Sequence, residues 1–262
     1  MTDTTARVPL TPKSSRALRR LAKHSSPPDP YPMRRRAAIL IALFGDRSGH
    51  LRVILSTRSS MLRSHPGEVC LPGGKMDDTD PDLIHTARRE AFEEIGLPIS
   101  SPNIQHLTTL PPFLTRSHLI VTPVVVMIRE PNIQPKLNLD EVENIFSHPL
   151  EAFLFNSPKE PVLHSLPPDV QSGKLPYHKM WDVPWYGNSP IRYHSFVNPK
   201  GEIRGFTSNV LIEAAQLAYN SPPEFDRRAK GQIHRKQLFR IALRKAPDFN
   251  TNNNNTVIPS KL

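Results

Sequence analysis

Residues 82–97 read DLIHTARREAFEEIGL, and this stretch decides the fold. Glu90, Glu93 and Glu94 lie at i, i+3 and i+4, which at 3.6 residues per turn confines them to a helical sector roughly 100° wide. Ile84, Ala87, Ala91 and Ile95 form the adjoining apolar face. Asp80 offers a cap, Pro81 a first-turn residue and Gly96 a terminator, so the spacing predicts a helix over 82–95. Like charges one turn apart repel, so the arrangement costs stability unless cations meet it. Arg88 and Arg89 supply part of that compensation. Hard divalent cations supply it better, because oxygen ligands suit Mg²⁺ or Mn²⁺, which also bind substrate phosphates. Taken alone, an ExxEE pattern is more often a solvated acidic face, and the surrounding sequence has to decide.

Working outward, residues 58–74 are loop-rich and end in LPGG at 71–74. Ahead of them, 37–44 (AAILIALF) is an apolar run of strand length, 45–50 (GDRSGH) carries turn chemistry, and 51–56 (LRVILS) is a second strand. The three predict a hairpin. Downstream, 122–129 (TPVVVMIR) reads as another buried strand, and 140–155 as a strand edge leading into a short helix. Residues 191–197 and 202–204 predict a hairpin turning at NPKG (198–201). Residues 207–219 predict a helix, with Val210, Leu211, Ala214, Ala215 and Ala218 at helical spacing. The pattern mixes helices and strands without a regular βαβ alternation.

The chain has 262 residues, which suits one large domain with appendages. That domain is expected over 36–248, with a proline-rich insertion at 156–188. Residues 1–35 are rich in Ser, Thr, Pro and basic residues and are expected to be a disordered basic arm, a short helix over 15–23 being the competing reading. Residues 249–262 are expected to be a flexible tail. The single cysteine, Cys70, excludes an intramolecular disulfide framework and a Cys-rich zinc site. No apolar run approaches the ~20 residues of a membrane span, and the N-terminus has no apolar signal-peptide core. The formal charge of +10 suits an anionic partner: a nucleic acid, a nucleotide or a membrane. No RRM, KH or zinc-finger pattern appears, which argues against nucleic acid.

The segment 89–97 (REAFEEIGL), preceded by LPGG, resembles the Nudix box, in which Gly, five residues, Glu and seven residues precede Arg-Glu-apolar-x-Glu-Glu-x-Gly-apolar. The second half matches position by position from Arg89 to Leu97. The first half is offset by one: counting back from Arg89, the box Gly would fall on Lys75, while the glycine pair is Gly73-Gly74. The first box Glu has no clear equivalent, although Asp77, Asp78 and Asp80 are near. One Nudix branch, the coenzyme A diphosphatases, tolerates this longer loop. Its upstream motif is similar to Ile54-Leu55-Ser56-Thr57-Arg58-Ser59, Arg63, Gly67 and Leu71-Pro72-Gly73-Gly74, with every spacing kept. Asp140-Glu141-Val142, Phe146 and Pro149-Leu150 also resemble a downstream stretch of that branch.

The resemblance implies an α/β fold, a Nudix-type α/β/α sandwich with a mixed central sheet. It implies hydrolysis of the pyrophosphate of coenzyme A (CoA) and acyl-CoA, with Mg²⁺ or Mn²⁺ as cofactor. Glu90 and Glu94 would be metal ligands, and Glu93 would bind a further metal or a metal-held water. Arg89 would orient a catalytic carboxylate, and Glu141 is a candidate general base. Arg58, Arg63 and Lys75 would face the substrate phosphates, with Gly73 and Gly74 letting the backbone approach. Competing readings are a Nudix enzyme for another nucleotide (NADH, ADP-ribose or capped RNA) and a catalytically inactive Nudix-fold binding module. The chain ends Ser260-Lys261-Leu262, an address read by a peroxisomal import receptor. Peroxisomal location is therefore expected, with mitochondrial import through the basic arm as the alternative.

Overall fold

A computed structural model describes residues 9–26, 28–32, 34–129, 135–159 and 162–245. In chain order the elements are α1 (Pro12–Lys23), β1 (Arg36–Gly45), β2 (Leu51–Arg58), β3 (Val69–Cys70), β4 (Gly73–Lys75), α2 (Leu83–Ile95), β5 (Ile104–Thr109), β6 (Phe113–Leu114), β7 (Ile120–Ile128) and β8 (Val142–Pro149). There follow α3 (Pro168–Gln171), β9 (His178–Pro184), β10 (Pro190–Phe196), β11 (Ile203–Arg204), α4 (Gly205–Tyr219) and α5 (Arg235–Lys245). The expectation for 140–155 is met by β8 and a 3-10 turn at Leu150–Leu154.

The uninterrupted apolar run of β1 makes it the centre of the main sheet, because only a strand covered on both faces can afford no polar positions. It pairs antiparallel with β2 at its C-terminal end and with β4 at Ala37–Ile39. It pairs parallel with β7 from Arg36↔Ile120 to Leu43↔Met127. β8 lies antiparallel to β2, and β5 antiparallel to β7. The sheet is therefore mixed. Side chains alternate across it: Ala38, Leu40, Ala42, Ile54, Val124 and Val126 pack on Ala87, Ala91 and Ile95 of α2. Ala37, Ile39, Ile41, Leu43, Val53 and Val125 face the opposite layer, where α4 contributes Val210, Leu211, Ala214 and Ala218. A small sheet, β11-β10-β9, joins that second layer. There His178 and His194 meet at 2.9 Å between Nε2 and Nδ1, stacked beside Phe225.

The arm expected to be disordered over 1–35 carries a docked helix at Pro12–Lys23, which corrects the expectation there, while residues 1–8 lie outside the described residues. Thr11 caps α1 through the Ser14 amide at 3.1 Å, and Pro12 pre-sets its first turn. Ala17 and Leu21 are fully buried in the core that contains α4, and the Arg20 guanidinium reaches the Ala218 carbonyl at 3.2 Å. Two buried apolar positions one turn apart suffice for docking, and the basic residues around them hide the stripe in the sequence. A second correction concerns the cap of α2. Asp82, not Asp80, caps it by accepting from the His85 amide at 2.7 Å. The expectation of a flexible tail over 249–262 lies outside the described residues.

α1 is a testable part of the core. Leu21→Ala should cost about 2–5 kcal/mol in urea denaturation, the usual range for truncating a buried leucine. A loss below about 0.5 kcal/mol would show that α1 does not dock.

Candidate active site

The site begins with two glycines. Gly73 has φ +154°, and a Cβ there would fall onto the Ala38 carbonyl and 2.6 Å from the Ile39 Cα. A Cβ on Gly74 would sit 2.5 Å from Oε1 of Glu90. Lacking those atoms, Gly73 lies close on β1 and Gly74 lies directly against the Glu90 carboxylate of α2. The Gly73 amide donates to Oε2 of Glu94 at 3.2 Å.

Burial dominates the electrostatics. Glu94 is buried, and its carboxyl is pushed up to about 8 by desolvation, with Glu90 and Glu141 reinforcing and the Gly73 amide and Arg58 opposing. Burial also raises Glu90, against the pull of Arg89 and with help from Glu93 and Glu141. Arg58, the last residue of β2, and Glu141, just ahead of β8, thus act on the helical carboxylates from neighbouring strand ends. Those ends are joined by the Ser59 amide donating to the Glu141 carbonyl at 2.8 Å.

Arg89 ties the site together. Its Nε and Nη2 grip both oxygens of Asp80 at 3.0 Å, while Nη1 donates to Glu90 at 3.0 Å and Glu93 at 2.9 Å. Nη2 also reaches the Lys75 carbonyl at 3.1 Å. The Asp80 side chain has no exposure and accepts further bonds from the Thr86 hydroxyl at 2.9 Å and the Asp77 amide at 3.0 Å. His85 Nδ1 lies 2.9 Å from it. The Arg89 fork, above all, holds the Asp80 carboxyl far below the usual carboxylate range, despite burial. Sequence reasoning left Asp80 without this role. The available signal was the offset itself: the box spacing points to position 81, a proline, and Asp80 is the acid next to it.

The remaining expected residues are placed unevenly. Glu93 is turned toward Arg89 and is 46% exposed. Lys75 follows the glycines on β4, with an exposed side chain. Arg63 is exposed on the loop between β2 and β3. His65 pairs with Glu68 at 2.9 Å on the surface. Burial pushes the Cys70 thiol up to about 11, which removes it as a nucleophile.

Among the described residues no three His, Cys, Asp or Glu side chains form a ready metal cage. Glu94, which is buried, and Glu90, which is partly buried, stand one helical turn apart instead, both disfavoured as anions by desolvation. Such a pair fits Mg²⁺, which keeps several waters and takes one or two protein carboxylates together with substrate phosphate. Mn²⁺ suits the same oxygen donors.

A profile of the NUDIX domain matches residues 33–166. The chain is 39% identical over 210 residues to Nudix hydrolase 15, mitochondrial, of Arabidopsis thaliana, covering 78% of this chain and 66% of the relative. It is 45% identical over 121 residues to a peroxisomal coenzyme A diphosphatase of Caenorhabditis elegans, covering 45% of this chain and 50% of that one. It is 42% identical over 118 residues to a peroxisomal coenzyme A diphosphatase of Mus musculus, covering 45% and 48%. The chain thus spans about half to two thirds of the length of these relatives. The domain match runs through both glycines, the carboxylate helix and the mixed sheet that carries them, and on that ground the chain belongs to the Nudix family.

Proposed function

We propose that this Nudix hydrolase splits the pyrophosphate of coenzyme A and acyl-CoA, giving 3′,5′-ADP and (acyl-)4′-phosphopantetheine. The observation that carries the reading is the run Arg58, Arg63, Gly67 and Leu71-Pro72-Gly73-Gly74, whose last two residues lie against the Glu90–Glu94 pair. The names of the worm and mouse relatives support it.

In this reading Glu90 and Glu94 hold the divalent ion. When bound, the ion neutralises pyrophosphate oxygens and makes water easier to deprotonate. Arg89, itself fixed by Asp80, orients Glu90 through Nη1. Glu93 shares that guanidinium and serves a further ion or its water from the exposed side. Glu141 is the proposed general base, an acid outside the helix whose charge reaches both Glu90 and Glu94. It accepts the proton of the attacking water as one P–O bond forms and the bridging P–O bond breaks. Arg58, Arg63 and Lys75 neutralise phosphate oxygens, Arg58 being the one closest coupled to Glu94.

Three outcomes test this. With Mg²⁺ or Mn²⁺, a panel of CoA, acyl-CoA, NADH, ADP-ribose and capped RNA should yield 3′,5′-ADP and phosphopantetheine as the preferred products, and preference for another member would overturn the CoA reading. Glu94→Gln should lower turnover at least ~10²-fold, the scale of losing ~3 kcal/mol of transition-state stabilisation. Without metal the same variant should be more stable than the wild type. The folded-state value of Glu94 is raised, so its contribution is complete in acid and is lost as pH climbs from about 4.5 to about 8. The stability gap should open across that window, and near-wild-type turnover or a constant gap would refute the assignment.

Location belongs to the same proposal, since the worm and mouse relatives are named as peroxisomal and the Arabidopsis one as mitochondrial. An N-terminal fluorescent fusion should enter peroxisomes through the import receptor, and removing residues 260–262 should release it to the cytosol. Mitochondrial import of a C-terminal fusion would count against it.

A further inference from the structure

The small sheet ends in an open edge. Its order is β11-β10-β9, and among the described residues β9 pairs only with β10. Which backbone groups of β9 face outward follows from the bonds at its two ends. The Val197 amide donates to the Tyr177 carbonyl at 2.9 Å, and the Trp185 amide to the Ser189 carbonyl at 2.8 Å. Antiparallel pairs alternate between hydrogen-bonded and non-bonded, so Lys179, Trp181 and Val183 turn their backbone groups toward β10, and Met180 and Asp182 turn theirs outward. The residues opposite those two on β10 agree. The Arg192 amide and carbonyl are taken by Gln232 at 3.1 Å and Asn209 at 3.0 Å, and the His194 carbonyl by the Ser208 hydroxyl at 2.6 Å, rather than by β9.

The side chains of this edge are uncovered too. Met180 is 47% exposed and Trp181 40%, and Lys179 and Asp182 are exposed. Trp181 stands on one face with Lys179 and Val183, its ring 6.1 Å from that of Tyr193. Met180 and Asp182 stand on the other, where the Arg192 guanidinium grips both Asp182 oxygens at 2.7 and 2.8 Å. Proteins often blunt an open edge with charge that repels a copy. Here the strand sets one lysine and one arginine-neutralised aspartate on opposite faces.

We propose that β9 is a dimerisation edge, which takes β9 of a second copy of this chain antiparallel and centred on Trp181. A two-fold axis normal to the sheet keeps each face on its own side, so the centre falls on a residue rather than between two. Centred on Trp181, Met180 of each chain exchanges both backbone bonds with Asp182 of the other. Trp181 meets its copy at a non-bonded pair, where side chains approach closest, and an aromatic row runs from Tyr193 to Tyr193 across the axis. Lys179 faces Val183, so no like charges stand opposite. Centring on Asp182 would set carboxylate against carboxylate. Centring on Met180 would bring Asp182 opposite His178, which is buried with its ring 3.9 Å from that of Phe225. This self-matching selects a copy over an unrelated extended segment. β9 lies outside residues 33–166 and carries none of the proposed site residues.

Sedimentation velocity on the full chain, from about 1 to about 200 µM, should show monomer passing to dimer, the range expected of a small interface. Met180→Pro removes one outward N–H and leaves the bonds to β10, a change that edge strands tolerate. Trp181→Glu sets like charges on the axis. Both variants should stay monomeric across the range, with melting curves by circular dichroism matching the wild type. Where Met180→Pro melts early, Trp181→Glu carries the same comparison. Trp181→Cys should cross-link as a disulfide under mild oxidation, because facing Cα atoms about 4.5 Å apart suit one. Lys179→Cys, displaced along the strand from its copy, should not. A wild type that stays monomeric throughout, a dimer that survives both substitutions, or cross-linking through Lys179→Cys in preference would overturn the edge.

Discussion

With hydrogen in place of a side chain, Gly73 lies close on Ala38 and Ile39 of β1 and Gly74 against the Glu90 carboxylate, while the Gly73 amide holds Glu94. That contact removes the carboxylates from water, and the cost of doing so sets the character of the site. Glu94 has an amide hydrogen bond and the opposing pull of Arg58, but among the described residues no ion pair balances it, and its affinity for a proton rises accordingly. A helix carrying such a pair must be anchored elsewhere. Ala87, Ala91 and Ile95 hold it to the sheet, and Asp82 and Gly96 fix its ends. The carboxylate face is left in tension while the packing face is satisfied.

Arg89 spreads one positive charge over Asp80, Glu90 and Glu93, and its direction is decided by the partner that is buried most. Asp80 binds two of its nitrogens, so the third points at Glu90. The planar fork matters here: an ammonium group would be a single point of charge and could not hold two carboxylates in fixed relative positions. Asp80 in turn is locked by Thr86, Asp77 and His85, which draws the loop after β4 into the same rigid unit.

What the sequence disclosed depended on scale. The apolar runs of β1 and β7 and the small-residue face of α4 are long enough for periodicity to fix their type, and the structure puts them where a mixed sandwich requires. The glutamates at 90 and 94 were legible because helical spacing is rigid. The role of Asp80 was not, because a one-residue offset in a loop breaks any argument from spacing while the side chain still reaches its partner. α1 and α5 were obscured for another reason. Their apolar stripes are narrow, with Ala17 and Leu21 in the first and Phe239 and Ala242 in the second, and arginines and lysines surround them. The pairing of β9 with β10 left no alternating signal either, since Met180 and Trp181 are both substantially exposed.

The docking of α1 and α4 on one face of the sheet has a consequence for where the folding unit ends. The matched stretch, 33–166, contains both glycines and the carboxylate helix but neither of these helices. Cut at its borders, that stretch would lose the cover that Ala17, Leu21, Val210, Leu211, Ala214 and Ala218 give to that face of the sheet. The flanking helices are therefore structural masonry: α1 and α4, on either side of the matched stretch in sequence, close the same side of the domain. A shortened version designed around the matched stretch alone would keep the glycines and the carboxylate helix and lose the layer that covers the sheet behind them.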